Sequence, residues 1–245
     1  MMSKAKTSPK HDLASAERQS RDCISWSAWK FRRVFGAALC ASYTGKEARP
    51  HLNAVHVKRE NSTVTVSATD GHWAFRWREV EGMTDEDGEP IDRTPFSCLI
   101  PRRVLESFLA ATKKPVELEK VQLSTRDDVG FSLRTIFDVI SHDFTQVPEE
   151  FPAVDKVIPV IVNPTCTSIG IGANMTAIVG RSFGIATGDS NVMIFWQLSG
   201  DALSPLVCTC PTQEELIAVV MPRRVDNANA VPDKPVADNG IAAAE

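Results

Sequence analysis

Apolar residues recur at helical spacing in three segments of the chain. Within residues 28–42 they form one stripe, which predicts a helix with a single buried face. The stripe consists of Phe31, Val34, Phe35, Ala38 and Leu39. A second helix is predicted to begin at Pro101, because proline suits the first helical position and a similar stripe follows it. A third is predicted with Asn163 as its cap and Pro164 at its first position, running through Ile178.

Alternating apolar and polar residues after each helix predict antiparallel strands. The predicted strands are residues 52–58, 63–69 and 73–80 after the first helix, 116–124 and two stretches between 129 and 140 after the second, and 191–198, 206–210 and 216–221 after the third. The predicted helices begin about 72 and 63 residues apart, which indicates a supersecondary unit repeated three times. We therefore predict an α+β fold of helix-plus-strands repeats, with the helices on one face of curved sheets.

The two ends of the chain and one internal segment lack this periodicity. Residues 1–22 are predicted to be a disordered basic tail, and residues 226–245, rich in Ala, Asn, Asp and Pro, a second disordered tail. Residues 79–92 hold seven acidic residues around two glycines and a proline. Runs of this kind are typical of loops, so we predict a solvated connector between two repeats rather than a metal cage.

Composition narrows the class of protein. The 245 residues carry a formal net charge of -4, which argues against a protein that coats nucleic acid uniformly but leaves room for a local basic face. No stretch of the sequence approaches the roughly 20 apolar residues of a membrane-spanning helix. Six cysteines without a secretory signal favour reduced thiols, and we expect a cytoplasmic protein.

No group of residues in the sequence forms a convincing active site. Cys208 and Cys210 have no second ligand pair nearby, so a zinc site is not expected. The tripeptide Asp70-Gly71-His72 has no accompanying nucleophile motif and is better explained as a polar turn at the end of a strand. We predict no catalysis, no cofactor and no metal. An unrelated enzyme on a repetitive α+β scaffold remains a weaker alternative.

Basic residues cluster on and near the first two predicted helices, and on one shared face they would contact nucleic-acid phosphates without reading bases. The candidates are Lys30, Arg33, Lys46, Arg49, Arg102, Arg103, Lys113 and Lys114. On periodicity alone, ordinary solvated helix faces are the better explanation of these residues. The third predicted helix weakens the case for a basic face, since no charged residue occurs between Pro164 and Gly180.

Four passages of the chain resemble one family. Residues 49–57 (RPHLNAVHV) and 66–75 (VSATDGHWAF) resemble the middle domain of the bacterial DNA polymerase III beta subunit, the sliding clamp. Residues 151–159 (FPAVDKVIP) resemble the end of that domain, and residues 219–225 (VVMPRRV) resemble the C-terminal strand and tail of the clamp. The resemblance implies a complete clamp domain over residues 23–157 and half a clamp domain over residues 158–225.

The same resemblance implies a shortened relative of a ring-forming protein. Family subunits carry three domains of two repeats each and close as dimers around duplex DNA, with helices lining the hole. This chain has about three repeats, so a ring of twelve would need four subunits. The resemblance therefore implies a homo-oligomer, encoded by a bacterium, a phage or a plasmid, whose subunits have fewer repeats than those of the family.

The resemblance also implies a partner-binding cleft between the middle and last domains. In the family this cleft takes short peptides from polymerases, clamp loaders and repair proteins. The matching positions are Leu52, Thr69, Gly71, His72, Trp73, Ala74, Pro159, Val219, Met221 and Arg223. Three of them depart from the family pattern: Trp73 stands where a cation is common, Ala74 where a larger aliphatic is common, and Arg223 where an apolar residue is common. Peptide preference is therefore expected to differ from that of the family.

Two functions follow from the resemblance. The leading hypothesis is a non-catalytic processivity factor that tethers replication or repair proteins to duplex DNA through the cleft. The alternative is a clamp-derived adaptor or competitor that binds the same peptides but does not encircle DNA. A degraded copy without function is a further alternative.

Overall fold

The computed structural model describes residues 23–45, 49–81, 94–112, 119–126, 130–136, 140–159, 170–200 and 204–221. The first repeat consists of β1 (Cys23–Ser27), α1 (Ala28–Ala41), β2 (Ala54–Glu60), β3 (Thr63–Thr69) and β4 (Trp73–Val80). The second consists of β5 (Phe96–Pro101), α2 (Arg102–Ala111), β6 (Lys120–Arg126), β7 (Gly130–Thr135) and β8 (Ser141–Thr145). After a short helix α3 (Val154–Val157), the third repeat comprises α4 (Ala173–Thr187), β9 (Phe195–Leu198), β10 (Leu206–Cys210) and β11 (Gln213–Val220).

The repeat is more regular than the sequence indicated, because the third long helix begins later than predicted. Its first residue is Ala173, and Gly172 before it has an extended backbone with φ -62° and ψ 133°. The predicted start at Pro164 is outside the described residues. The three long helices begin at residues 28, 102 and 173, so successive starts are 74 and 71 residues apart. The predicted α+β fold of helix-plus-strands repeats is confirmed.

The first two repeats exchange strands. The strand before each helix pairs with the strand that follows the helix of the other repeat, so β1 joins β6 and β5 joins β2, both antiparallel. The resulting sheets have the orders β1-β6-β7-β8 and β5-β2-β3-β4-β11-β10-β9. The second sheet contains seven strands because β4 pairs with β11 of the third repeat. The chain therefore folds as two interlocked repeats with a third attached through the sheet.

The helices lie on one face of the sheets and enclose the main core. Strand alternation sends Val55 and Val57 of β2, with Val64 and Val66 of β3, toward this core. An aromatic cluster from β1, α1 and α2 fills its centre, with ring-centroid distances of 4.1 Å between Phe31 and Phe35, 5.2 Å between Trp26 and Phe35, and 5.5 Å between Phe31 and Phe108. Phe35 thus packs where the first two repeats meet.

The third repeat is attached to the first in both layers of the structure. In the sheet layer, Ala74 of β4 is the partner of Val219 of β11. In the helix layer, the Ser182 hydroxyl of α4 donates a hydrogen bond of 3.0 Å to the carbonyl oxygen of Ala37 in α1. A Cβ added at Gly36 would lie 3.2 Å from Ile185, so the two helices approach closely. This double contact fixes the position of β11 beside β4.

Candidate groove at the junction of the first and third repeats

The sheet face opposite the helices carries an apolar groove where β4 meets β11. The groove has a volume of about 330 Å³. Eight of the ten residues proposed for the cleft line it: Leu52, Thr69, Gly71, His72, Trp73, Ala74, Val219 and Met221. They converge because Ala74 and Val219 are paired neighbours in the sheet, and because the turn before β4 and the end of β11 lie side by side. The backbone N–H of Met221 donates to the carbonyl oxygen of His72 across 2.9 Å.

The turn that forms one wall is held by its own side chains. One carboxylate oxygen of Asp70 accepts hydrogen bonds from the backbone N–H groups of His72 at 2.8 Å and Trp73 at 3.1 Å. The Thr69 hydroxyl donates to the carbonyl oxygen of Trp73 at 2.7 Å and accepts from the N–H of Gly71 at 3.1 Å. Gly71 has φ +91°, a left-handed conformation that glycine adopts without strain. The tripeptide Asp70-Gly71-His72 is therefore a structural turn.

The substitution Asp70→Ala removes both of these carboxylate bonds. We expect the free energy of unfolding to fall by about 1–2 kcal/mol, and affinity for a ligand in the groove to fall about threefold as the turn loosens. Urea denaturation and isothermal titration calorimetry measure the two quantities. Asp70→Asn keeps an acceptor oxygen and should lose less than half as much stability. Equal losses for the two variants would show that these hydrogen bonds do not hold the turn.

The groove differs from the sequence prediction at two positions, Pro159 and Trp73. Pro159 is not among the lining residues, and Arg223 falls outside the described residues. Trp73 borders the groove, but it is only 1% exposed and packs in the main core, because alternation along β4 sends it to the helix side. The presence of tryptophan at position 73, where the family commonly has a cation, therefore affects the core more than it affects the groove.

The linker between the second and third repeats supplies a wall that sequence reasoning missed. Pro152, Ala153, Val154 and Val157 close the groove on that side. The linker is fastened to the sheet by an ion pair of 2.7 Å between Arg76 and Asp155. Only the placement of this segment across the sheet reveals its role, because its short apolar residues carry no local signal.

Two further contacts fasten the preceding part of the linker. His51 and Glu149 are joined by a side-chain contact, and the ring of His56 lies 4.9 Å from that of Phe151. Burial, with the nearby charge of Lys58, lowers the pKa of His56 to about 4. His56 is therefore neutral at pH 7 and can pack against an aromatic ring without a buried charge.

A second cavity, of about 360 Å³, adjoins the groove at the N-terminal end of α4. It is lined by His72, Val220, Met221 and residues 170–175. His72 and Met221 border both cavities. The two cavities therefore meet at His72 and Met221 and together form one largely apolar depression.

The proposed phosphate-contacting residues have different environments. Arg33 and Arg103 are exposed on α1 and α2. Lys30 forms an ion pair of 2.7 Å with Glu79. Arg49 is exposed and has an interaction partner. Lys46, Lys113 and Lys114 lie outside the described residues.

Two further arginines change the sequence-based picture of this face. Arg102 has a structural role, since it donates to the carbonyl oxygens of Leu39 at 2.7 Å and Ser42 at 3.0 Å at the end of α1. The third long helix is not neutral as predicted, because it extends past Gly180 and exposes Arg181. The later helix start is the reason that the sequence pattern missed this cation. Arg33, Arg103 and Arg181 are therefore the exposed arginines carried by the three long helices.

Within the described ranges, no cluster of three or more His, Cys, Asp or Glu residues is arranged to hold a metal ion. The five cysteines described there are free. Burial raises the pKa of the Cys208 thiol to about 12, and Cys210 is also buried, so both belong to the core. No described helix is long and apolar enough to cross a membrane.

Comparison with known proteins identifies the fold. No family model and no curated protein matches the sequence. Among solved structures, the Bacillus subtilis DNA polymerase sliding clamp matches with a TM-score of 0.65 and 12% identity, covering 90% of this chain and 67% of the clamp. The DNA polymerase III beta subunit of Thermotoga maritima matches with a TM-score of 0.63 and 14% identity, covering 91% and 68%. A Pseudomonas aeruginosa sliding clamp bound to griselimycin matches with a TM-score of 0.63 and 14% identity, covering 91% of this chain and 68% of the clamp.

These likenesses show that the chain has the sliding-clamp fold. The identities are 12% to 14%, so the likeness lies in the structure far more than in the sequence. The chain spans about two thirds of the length of each of these clamps.

Proposed function

We propose that this protein, which has the fold of the DNA polymerase III beta sliding clamps, is a clamp-like processivity factor. It would hold replication or repair proteins at duplex DNA and perform no chemistry of its own. The observation that carries the proposal is the apolar groove at the β4–β11 junction, which eight of the ten proposed cleft residues line. The groove and the helices lie on opposite faces of the sheet, so a partner protein and DNA could be bound at the same time.

The groove suits a short extended peptide with a few apolar side chains. Ala74, Val219 and Leu52 form the apolar floor of the groove; they are only 2% to 6% exposed, but unlike Trp73 they do not belong to the main core. The two adjoining cavities of about 330 and 360 Å³ give separate places for neighbouring anchor residues. Ala74 is small, which leaves room for a larger side chain of the ligand. Griselimycin, bound in the Pseudomonas aeruginosa structure, is a convenient probe beside peptides from bacterial polymerases and clamp loaders.

The exposed arginines of the three long helices supply the proposed DNA contact. Contacts to phosphates are independent of sequence, as a protein that moves along DNA requires. A net charge of -4 limits this attraction to the local face.

A double variant tests the DNA-facing side. Arg103→Gln with Arg181→Gln should weaken duplex DNA binding and reduce the slope of log K against log salt by about 2, since each phosphate contact contributes about 0.9. Fluorescence anisotropy with a labelled duplex at several salt concentrations measures this slope. The matched control is Lys58→Gln with Lys156→Gln, which removes the same charge near the linker on the opposite face. An equal loss in both double variants would mean that the helix face is not the DNA surface.

The proposed activity is tested by primer extension on primed circular DNA. A replicative polymerase whose peptide binds the groove should make longer products with this protein present, and the gain should disappear when free peptide competes for the groove. Unchanged product length would contradict the proposal. We include among the proposed partners a DNA polymerase, a clamp loader and repair proteins, each bound through a short peptide motif.

A peptide-binding adaptor that does not encircle DNA is the second candidate. It is favoured by one observation, that two of the predicted phosphate contacts, Lys30 and Arg102, have partners within the fold. Peptide binding with no DNA retention at physiological salt would select the adaptor over the processivity factor. Retention that depends on circular DNA would select the processivity factor.

A further inference from the structure

We infer that the outer edge of β9 is an interface that joins the third repeat of one chain to the third repeat of a second copy. The contact forms without DNA or a peptide partner, so it extends the proposed function and can be tested independently of it. It gives the expected homo-oligomer a specific surface and a symmetry.

The first two repeats show how a repeat of this kind is completed. β2 and β6 each follow a helix, and each has neighbours on both sides. One neighbour is the next strand of the same repeat, and the other is the strand before the helix of the other repeat, with Ser27 opposite Lys120 and Ala54 opposite Pro101. The exchange is reciprocal, so each repeat covers the edge of the other. Two repeats together form a closed unit.

β9 is the equivalent strand of the third repeat, but in the described part of the chain only β10 pairs with it. Phe195 at its start is 47% exposed, and the preceding Met193 is 67% exposed. The next three residues of β9 are only partly buried, whereas four of the seven residues of β2 are buried. The third repeat therefore has an edge and an apolar surface that resemble those the first two repeats cover with each other.

The chemistry of this edge also indicates a partner. Exposed edge strands usually carry a charge or proline that prevents pairing with another chain. Residues 190–198 contain neither a charged residue nor a proline. At the far end of the other sheet, β8 carries Asp143 in an ion pair with Arg126 of β6. The contrast indicates that charged side chains protect β8 against pairing with a strand of another chain, whereas β9 has no such protection.

A second copy of this chain is the occupant that fits best. In the first two repeats, the surface that covers a repeat is another repeat of the same kind. Among the residues that the structure describes, the third has no fellow repeat, and a second copy supplies one. A two-fold axis at β9 would let each copy cover the other, as is typical of homodimers. The seven-stranded sheet would then continue across the axis into the second chain.

Light scattering on a sizing column, over about 1 to about 100 µM protein, tests this interface. We expect the wild-type chain to form an even-numbered assembly. Phe195→Lys places a charge on the open edge at a side chain that is already half exposed, so the fold should survive. It should raise the dissociation constant at least tenfold. Val80→Lys changes an equally apolar residue, 73% exposed at the end of β4, and should leave the assembly unchanged.

Hydrogen exchange of the β9 amides provides a measurement that needs no variant. Protection that rises with protein concentration supports the interface. A wild-type monomer at all concentrations would overturn it, whether β9 is unprotected or is covered by another segment of the same chain. An assembly that Phe195→Lys leaves intact would overturn it as well. None of these measurements uses DNA or a peptide. An assembly that Phe195→Lys leaves intact overturns the β9 interface while the proposed function stands, whereas a monomer at all concentrations would count against both.

Discussion

We expect the substitution Met221→Glu to weaken binding of apolar peptides, and of griselimycin, by about 30-fold or more. Met221 borders both cavities, so a ligand that spans the depression must cover it. A carboxylate in that position loses its water when the ligand binds, which costs about 2 kcal/mol without a compensating hydrogen bond. The fold should tolerate the change, because Met221 follows the last strand and is 46% exposed in the free protein.

Val80→Glu is the matched control for this experiment. It introduces the same charge at an exposed apolar side chain of the same sheet, and Val80 does not line either cavity. Isothermal titration calorimetry with griselimycin and with a polymerase-derived peptide should show unchanged affinity for Val80→Glu. If Met221→Glu binds as well as the wild type does, the groove is not the ligand site.

The largest stability effect is expected from Phe35→Ala. Phe35 is fully buried and contacts both Trp26 of β1 and Phe31 of α1. Truncation of a buried phenylalanine loses its transfer free energy and leaves a cavity, so the free energy of unfolding should fall by about 3–5 kcal/mol. Urea denaturation followed by tryptophan fluorescence measures the change.

Phe35→Leu removes the aromatic ring but keeps a large apolar side chain at this position. Leucine keeps most of the apolar contact, and we expect a loss of about 1–1.5 kcal/mol. If Phe35→Ala costs less than about 1 kcal/mol, the aromatic cluster is not the centre of the core, and the packing of α1 against α2 must be reconsidered.

Local periodicity accounts for the parts of the fold that the sequence predicted well. The stripe through Phe31 and Phe35 correctly identified α1, and alternation gave β3, β4 and β10 their observed bounds. The two strands before the helices, β1 and β5, were missed. Each is only five or six residues long and pairs with a strand of the other repeat. Such an exchange depends on tertiary contacts that no local pattern records.

The candidate groove could be predicted only in part, and that part came from the family resemblance. The resemblance named the turn around Gly71 and the end of β11, which the structure brings together through the Ala74–Val219 pair. The wall at Pro152 to Val157 was not predicted, because its contribution arises from where the linker crosses the sheet. The core-facing side chain of Trp73 was not predicted either, since the motif identifies a position and not the face of the strand.

The environments of the basic residues could likewise be predicted only in part from the sequence. Lys30 looked free in the sequence, but it pairs with Glu79, which lies 49 residues away. Arg181 was overlooked because the helix that carries it was placed too early along the chain. Both errors concern charges whose environment is set by the fold and not by neighbours in sequence.

The most direct test of the proposed clamp function is retention on circular DNA. The protein is assembled in the presence of nicked circular plasmid, so that dissociable subunits can close around the duplex. Gel filtration at about 0.15 M NaCl then separates bound from free protein. We predict that the protein elutes with the circular plasmid and is released when a restriction enzyme cuts the plasmid once. Absence from the plasmid fractions, or equal retention before and after the cut, would contradict encirclement and with it the sliding-clamp function.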